Sequence, residues 1–161
     1  MSLLVAKSGR PARFLGKKEV FDAPGEMVVM APQGTIPRGP AFFEPQLRGR
    51  WGAARQAAKT RAPVVPVGLW GTDEVWPRSS RLPKLDARRP VITVTVGRPV
   101  TLTYDDPDDD TARIMAAIVD LLPPEARQRR IPTEEQLART YPPGYRGDAA
   151  KEAARRPGTD T

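Results

Sequence analysis

The sequence of 161 residues contains no histidine and no cysteine, and each absence removes a block of chemistry. Without imidazole, no side chain has an ordinary proton affinity near neutral pH, so Ser-His and Cys-His mechanisms are excluded. Serines 2, 8, 79 and 80 accordingly have no histidine to activate them. Without thiols there are no disulfides, no thiolate nucleophiles and none of the usual zinc sites. The lack of cysteine is compatible with a reducing cytoplasm, although cysteine-free chains occur in every compartment. Long apolar runs are missing too. A bilayer span needs about 18 consecutive apolar residues, and the longest candidates, 64–70 and 114–119, fall far short. Residues 1–5 are apolar, but Lys7 and Arg10 break the run and no small-residue cleavage site follows, which argues against a signal peptide.

What is present is basic and rich in proline. Twenty-six Lys and Arg against 19 Asp and Glu give a net charge of +7, which suits nucleic acid, anionic lipid or phosphorylated substrates and equally suits an ordinary solvated surface. The apolar fraction of 39% implies one domain with a thin core. Nineteen prolines, many of them after Pro123, suggest a folded part over 1–122 and a Pro/Arg-rich, partly disordered extension over 123–161.

Along the chain, the clusters Phe14-Leu15 and Val20-Phe21 are too short to define an element. An apolar run over 27–31 predicts a strand ending at a Pro-Gln-Gly turn. Three prolines and a glycine between Ile36 and Pro45 enforce a loop. Leu47, Trp51, Ala54 and Ala58 fall on one face of a helix expected over 46–61, ended by Pro63. Residues 64–70 predict a buried strand, with Pro66 marking an edge, a bulge or an end. A long surface loop follows over 71–90. The β-branched run 91–96 predicts a further strand. Asp108, Asp109 and Asp110 open a helix whose apolar face is Ile114, Met115, Ile118, Leu121 and Leu122. Thr133 and Gln136 fit a capping box, and the chain beyond Tyr141 reads as extended or disordered. The alternation of strands and helices is that of an α/β fold.

The segment Ala31-Pro32-Gln33-Gly34-Thr35-Ile36-Pro37-Arg38-Gly39 carries the strongest motif. Gly34 permits a close backbone approach, Thr35 offers a hydroxyl and exposed amides suited to phosphate, and Arg38 could add a bidentate contact. Taken with Gly52-Ala53-Ala54, with Val64-Val65-Pro66-Val67 and with Arg13-Phe14-Leu15-Gly16-Lys17-Lys18-Glu19-Val20-Phe21, it resembles the glycerolipid acyltransferases of the lysophosphatidic acid acyltransferase type. That family's Pro-Glu-Gly-Thr loop helps to hold a phosphorylated acceptor, so the resemblance assigns substrate binding to Pro32, Gln33, Gly34 and Thr35, with Arg38 beside them. Gln33 replaces the family's Glu, and Ile36 stands where many members have Arg. The implied fold is a partial glycerolipid-acyltransferase-like sheet flanked by helices, with an extended Pro-rich C-terminal tail. The implied reaction is acyl transfer from acyl-CoA or acyl carrier protein, as co-substrate, to a lysophospholipid such as 1-acylglycerol-3-phosphate, at the cytoplasmic face of the membrane.

The family's general base sits in an Asn-His-x-x-x-x-Asp motif, which nothing here matches. Phe21-Asp22-Ala23-Pro24 also runs almost directly into Gly25-Glu26-Met27, where relatives place a helix and an Arg-bearing phosphate motif. The expectation is a shortened, internally deleted relative or a misassigned gene start, with no catalytic residue and no activity alone. The alternative is a noncatalytic module that binds anionic lipid or phosphate.

Three further features have competing readings. Asp105, Asp106, Asp108, Asp109 and Asp110 form an acidic cluster that lacks the glycine and terminal Glu of a calcium loop, so capping explains it better than a metal. Arg48, Arg50, Arg55, Lys59 and Arg61 could lie on anionic lipid headgroups or phosphate, or simply face water. Trp70 and Trp76 could enter a membrane interface, although Trp70 at a strand end suits a core. No recognition motif or interleaved aromatics point to nucleic acid.

Overall fold

The computed structural model describes residues 12–14, 27–34, 36–45, 47–83 and 90–147. Expectations that fall on the first eleven residues, on 15–26, Thr35, Gln46, 84–89 or 148–161 lie outside them. The fold is mixed α/β, and the chain divides into two units, Met1–Ala31 and Pro32–Thr161.

In the first unit, β1 (Ala12–Phe14) and β2 (Met27–Val29) pair in parallel, with Ala12 opposite Met27 and Phe14 opposite Val29. β2 is the strand expected over 27–31. It stops short of the turn at Pro32, which has no N–H to give to a ladder.

The second unit opens with the 32–45 loop, which contains a 3-10 turn at Gly39–Phe42. Helix α1 is Gly52–Thr60, shorter than the 46–61 expected. The reason lies in contacts from outside the helix. The Arg50 amide donates to the Pro32 carbonyl at 2.8 Å, which takes it out of any helical ladder. Gly49 is also pressed against Thr111 and Met115. Leu47 and Arg48 therefore precede the helix, and Ala57 rather than Ala58 joins Ala54 in burial.

β3 (Val67–Trp70) and β4 (Thr93–Val96) form an antiparallel pair, joined by a long connection that opens with the one-turn helix α2 (Thr72–Val75). Pro66 interrupts the expected strand, and the bulge lies in the facing segment. Val64 pairs with Val100 while Val67 pairs with Val96, so the second strand carries one residue more across this stretch. The Pro66 carbonyl still accepts from Gly97 N at 3.0 Å, so the missing donor of proline costs the ladder nothing on that side.

Helix α3 (Pro107–Asp120) starts where the sequence indicated, with Asp106 as its N-cap and Pro107 in its first turn. It closes over α1, and Ala54, Ala57, Leu102 and Ile114 form the core, with Val64, Val100, Tyr104 and Ile118 packed around them. Leu121, just past the helix, lies against Gly68 and Gly97 and so covers one face of the β3–β4 pair. The other face stays in water: Val67 and Leu69 sit opposite Val96 and Val94, and all four are exposed.

A second 3-10 turn (Pro124–Arg127) and helix α4 (Glu134–Arg139) follow. Thr133 and Gln136 make both bonds of the expected capping box. The stretch from Tyr141, expected to be extended, instead turns at Pro142, whose carbonyl accepts from Tyr145 N, and the Tyr141 and Tyr145 rings stack at 4.8 Å. Among the described residues, no helix is long and apolar enough to cross a membrane.

Candidate functional site

The Pro-Gln-Gly loop is neither sealed nor free-standing. Pro32 and Gln33 are half-buried and Gly34 is exposed. Gly34 takes φ +67°, a left-handed conformation that L residues with a side chain rarely adopt, so the turn depends on glycine. The Arg50 side chain crosses directly over it: a Cβ at Gly34 would lie 3.0 Å from Arg50 Cδ and 3.2 Å from Nε. The backbone bond from Arg50 to Pro32 fixes that crossing.

Downstream, the loop is tied at two more points. Arg78 donates from Nη1 to the Ile36 carbonyl at 3.3 Å. The buried Gly39 amide donates to Thr140 Oγ1 at 2.8 Å, and that hydroxyl in turn donates to the Leu137 carbonyl at 2.7 Å. Gly39 also has a left-handed φ, +57°, and the Tyr141 phenol occupies the space a Cβ would need. Arg38, between these ties, has its guanidinium over the Tyr145 ring at 5.4 Å. Of the residues assigned from sequence, Pro32, Gln33, Gly34 and Arg38 thus belong to one tethered loop, and Thr35 lies outside the described residues. Arg50, Arg78, Thr140 and Tyr145 were not foreseen there. Nothing in the local pattern marks them, because each reaches the loop from a distant element.

Comparison with protein-family models, with curated proteins and with solved structures finds no match.

The acidic cluster has structural work to do. Asp106 Oδ1 accepts from Asp108 N at 2.8 Å, and Asp108 Oδ1 accepts from Trp51 Nε1 at 2.6 Å, joining the start of α3 to the start of α1. Asp110 is 1% exposed. It accepts from Thr103 N at 2.9 Å, Tyr104 N at 2.7 Å and Thr103 Oγ1 at 3.2 Å. Burial by itself pushes its pKa up, but the two backbone amides, the Thr103 hydroxyl and the Arg113 charge together hold it below the ordinary carboxylate value. Among the described residues no group of three or more acidic side chains is arranged to hold a metal.

The basic residues expected along one helix are divided. Arg48 and Arg50 precede α1, Arg55 and Lys59 are exposed on it, and Arg61 caps its end in a left-handed conformation. Arg55 lies over the Trp51 ring at 4.4 Å. Trp70 is half-buried with Arg130 over its ring at 5.5 Å, whereas Trp76 is exposed and donates from Nε1 to the Ser80 carbonyl.

Proposed function

We propose that the chain is an acyltransferase-type module of phospholipid synthesis, with a partial glycerolipid-acyltransferase-like sheet, whose loop 32–38 binds the phosphorylated glycerol of a lysophospholipid. A glycine-dependent turn crossed by Arg50 supports this reading most directly, because it sets a close-approach backbone and a guanidinium side by side. Arg38, in the loop, and Arg78, which reaches the Ile36 carbonyl from the connection after α2, add cationic character beside the turn.

Acyl transfer to a hydroxyl requires a base to take the hydroxyl's proton as the thioester carbonyl is attacked. The sequence holds no histidine to serve. Losing a general base costs about 10² to 10⁴ in rate, and losing its orienting partner costs more. Alone, the chain therefore binds acceptor without transferring acyl groups, as a peripheral module at the inner face of the membrane. Acyl-CoA or acyl carrier protein would be the co-substrate of the parent reaction.

Two measurements on the purified chain test this. Radiolabelled acyl-CoA with 1-acylglycerol-3-phosphate should give no transfer above background, and robust turnover would refute the inactive assignment. Phosphatidylcholine vesicles doped with 1-acylglycerol-3-phosphate should sediment more protein than undoped vesicles, and equal sedimentation would remove the acceptor loop.

A further inference from the structure

We infer that the segment from Thr140 to Tyr145 is the second half of the phosphate site, with Tyr145 as the positioning residue for Arg38 and Thr140 as the anchor of the loop that carries it. The inference rests on the reading of loop 32–38 as a phosphate-binding loop. It adds residues more than a hundred positions away that no local pattern assigns.

The contacts form a continuous chain. Helix α4 is started by its capping box and ends at Thr140. Arg139, in its last turn, pairs with Glu74 at 3.0 Å, donates to the Asp73 carbonyl at 3.2 Å and accepts through its own carbonyl from Ser79 N at 3.3 Å. The end of α4 is thereby locked to the connection that begins with α2. That connection also supplies Arg78, which holds the Ile36 carbonyl. From this fixed base Thr140 presents its hydroxyl to the buried Gly39 amide, 101 residues away in sequence. Tyr141 fills the space beside Gly39, and the turn at Pro142 brings Tyr145 back so that its ring stacks on Tyr141, at an interplanar angle of 15°.

Tyr145 then offers Arg38 a face. Arg38 is extended, with φ −128° and ψ 159°, and immediately precedes the 3-10 turn, so its backbone is set by Gly39 while its side chain is steered by the ring. A ring face attracts a guanidinium by its charge and a phosphate ester engages its N–H groups, so ring and anion act on such a side chain through different parts of it. Holding the side chain before the anion arrives removes part of the ordering cost of binding. The ligand class is a phosphomonoester, and glycerol 3-phosphate is its smallest relevant probe.

The experiment uses the full chain and glycerol 3-phosphate, with calorimetric titration and thermal unfolding on each variant. Tyr145→Phe keeps the ring and should bind like the parent. Tyr145→Leu loses it and should bind about 3- to 5-fold more weakly while still unfolding cooperatively. Thr140→Ser should bind like the parent and Thr140→Val more weakly. The Arg38 side-chain Nε–H resonance should move in Tyr145→Leu and stay in place in Tyr145→Phe, with or without ligand. Equal affinity of Tyr145→Leu and the parent, or an unmoved resonance, overturns the positioning role alone. Failure of the parent chain to bind glycerol 3-phosphate overturns the loop reading and this role with it.

Discussion

The Arg61 guanidinium lies over the Tyr104 ring at 4.4 Å, and these are the two described residues other than glycine whose φ is positive, at 53° and 67°. Each ends a stretch that the core requires: Arg61 closes α1, with its amide on the Ala57 carbonyl, and Tyr104 turns the chain into the cap of α3. A left-handed conformation costs about 1–2 kcal/mol for a residue with a Cβ, and a cation–π contact returns about 0.5–1 kcal/mol at an exposed site. The stacked pair offsets part of the strain on both sides.

The first prediction follows from that balance. Arg61→Ala keeps the left-handed strain and loses the ring contact, whereas Arg61→Gly loses the contact and relieves the strain. Glycine at 61 should leave the protein more stable than alanine by about 1 kcal/mol, the reverse of their order inside a helix. Urea unfolding of the two variants measures it, and an alanine variant as stable as the glycine variant would show that position 61 carries no strain.

Acid stability should depend on Asp110. Its folded pKa is depressed, so its stabilisation is complete above the unfolded value of about 3.9 and is lost as pH falls through the folded value. Asp110→Asn, which leaves amide donors of Thr103 and Tyr104 facing a side chain that cannot accept as well, should cost about 2–3 kcal/mol at neutral pH. It should also flatten the fall in stability below pH 4. A parallel pair of curves for parent and variant would rule out this role.

Glycine positions in the loop should differ in tolerance. At Gly34 an added methyl meets the flexible Arg50 side chain, which can move, so Gly34→Ala should cost little more than the left-handed strain, about 1 kcal/mol. At buried Gly39 it meets the Tyr141 phenol, held by its stack on Tyr145. Gly39→Ala should therefore be the more damaging, by about 1–3 kcal/mol. Tyr141→Phe in that background should recover part of the loss, and a double variant no better than the single one would place the damage elsewhere.

Local signals mark α3, α4 and the core of β4, because a run of aspartates, a Thr-x-x-Gln cap and a β-branched run act within a few residues. The Pro-Gln-Gly turn was legible for the same reason. What eluded the pattern was set at long range. Leu47 has the spacing of a helical face, yet the Pro32 carbonyl takes the Arg50 amide and delays the helix. The acidic cluster looked like a cap, and Asp106 is one, but nothing nearby shows that Asp108 receives Trp51 or that Asp110 is buried. Thr140 and Tyr145 were in a tail that composition marks as loose. Their order comes from Gly39 and Arg38, which only the fold brings near.

The exposed face of β3 and β4 predicts a surface property. Val94 and Val96 are 43% and 48% exposed, so replacing either with Thr removes little buried area and keeps the β-branched shape. Val94→Thr and Val96→Thr should each change stability by less than about 1 kcal/mol. Together they should lower binding of the dye ANS, because they break the cross-strand row made with Leu69 and Val67. Unchanged dye fluorescence in the double variant would show that the bound dye lies elsewhere.

The loop itself makes the last prediction. A charge-assisted contact to an anion contributes about 1.5–3 kcal/mol, so Arg38→Ala should weaken glycerol 3-phosphate binding by about 10-fold or more. Arg38→Lys, which keeps the charge but loses the planar fork and its stacking on Tyr145, should recover only part of this. Arg78→Ala releases the Ile36 carbonyl and should weaken binding less, through loop disorder, with a lowered unfolding midpoint. Arg55→Ala, on the exposed face of α1, provides the control for net charge. If Arg55→Ala and Arg38→Ala reduce affinity equally, the attraction comes from the whole basic surface and the loop has no special part in it.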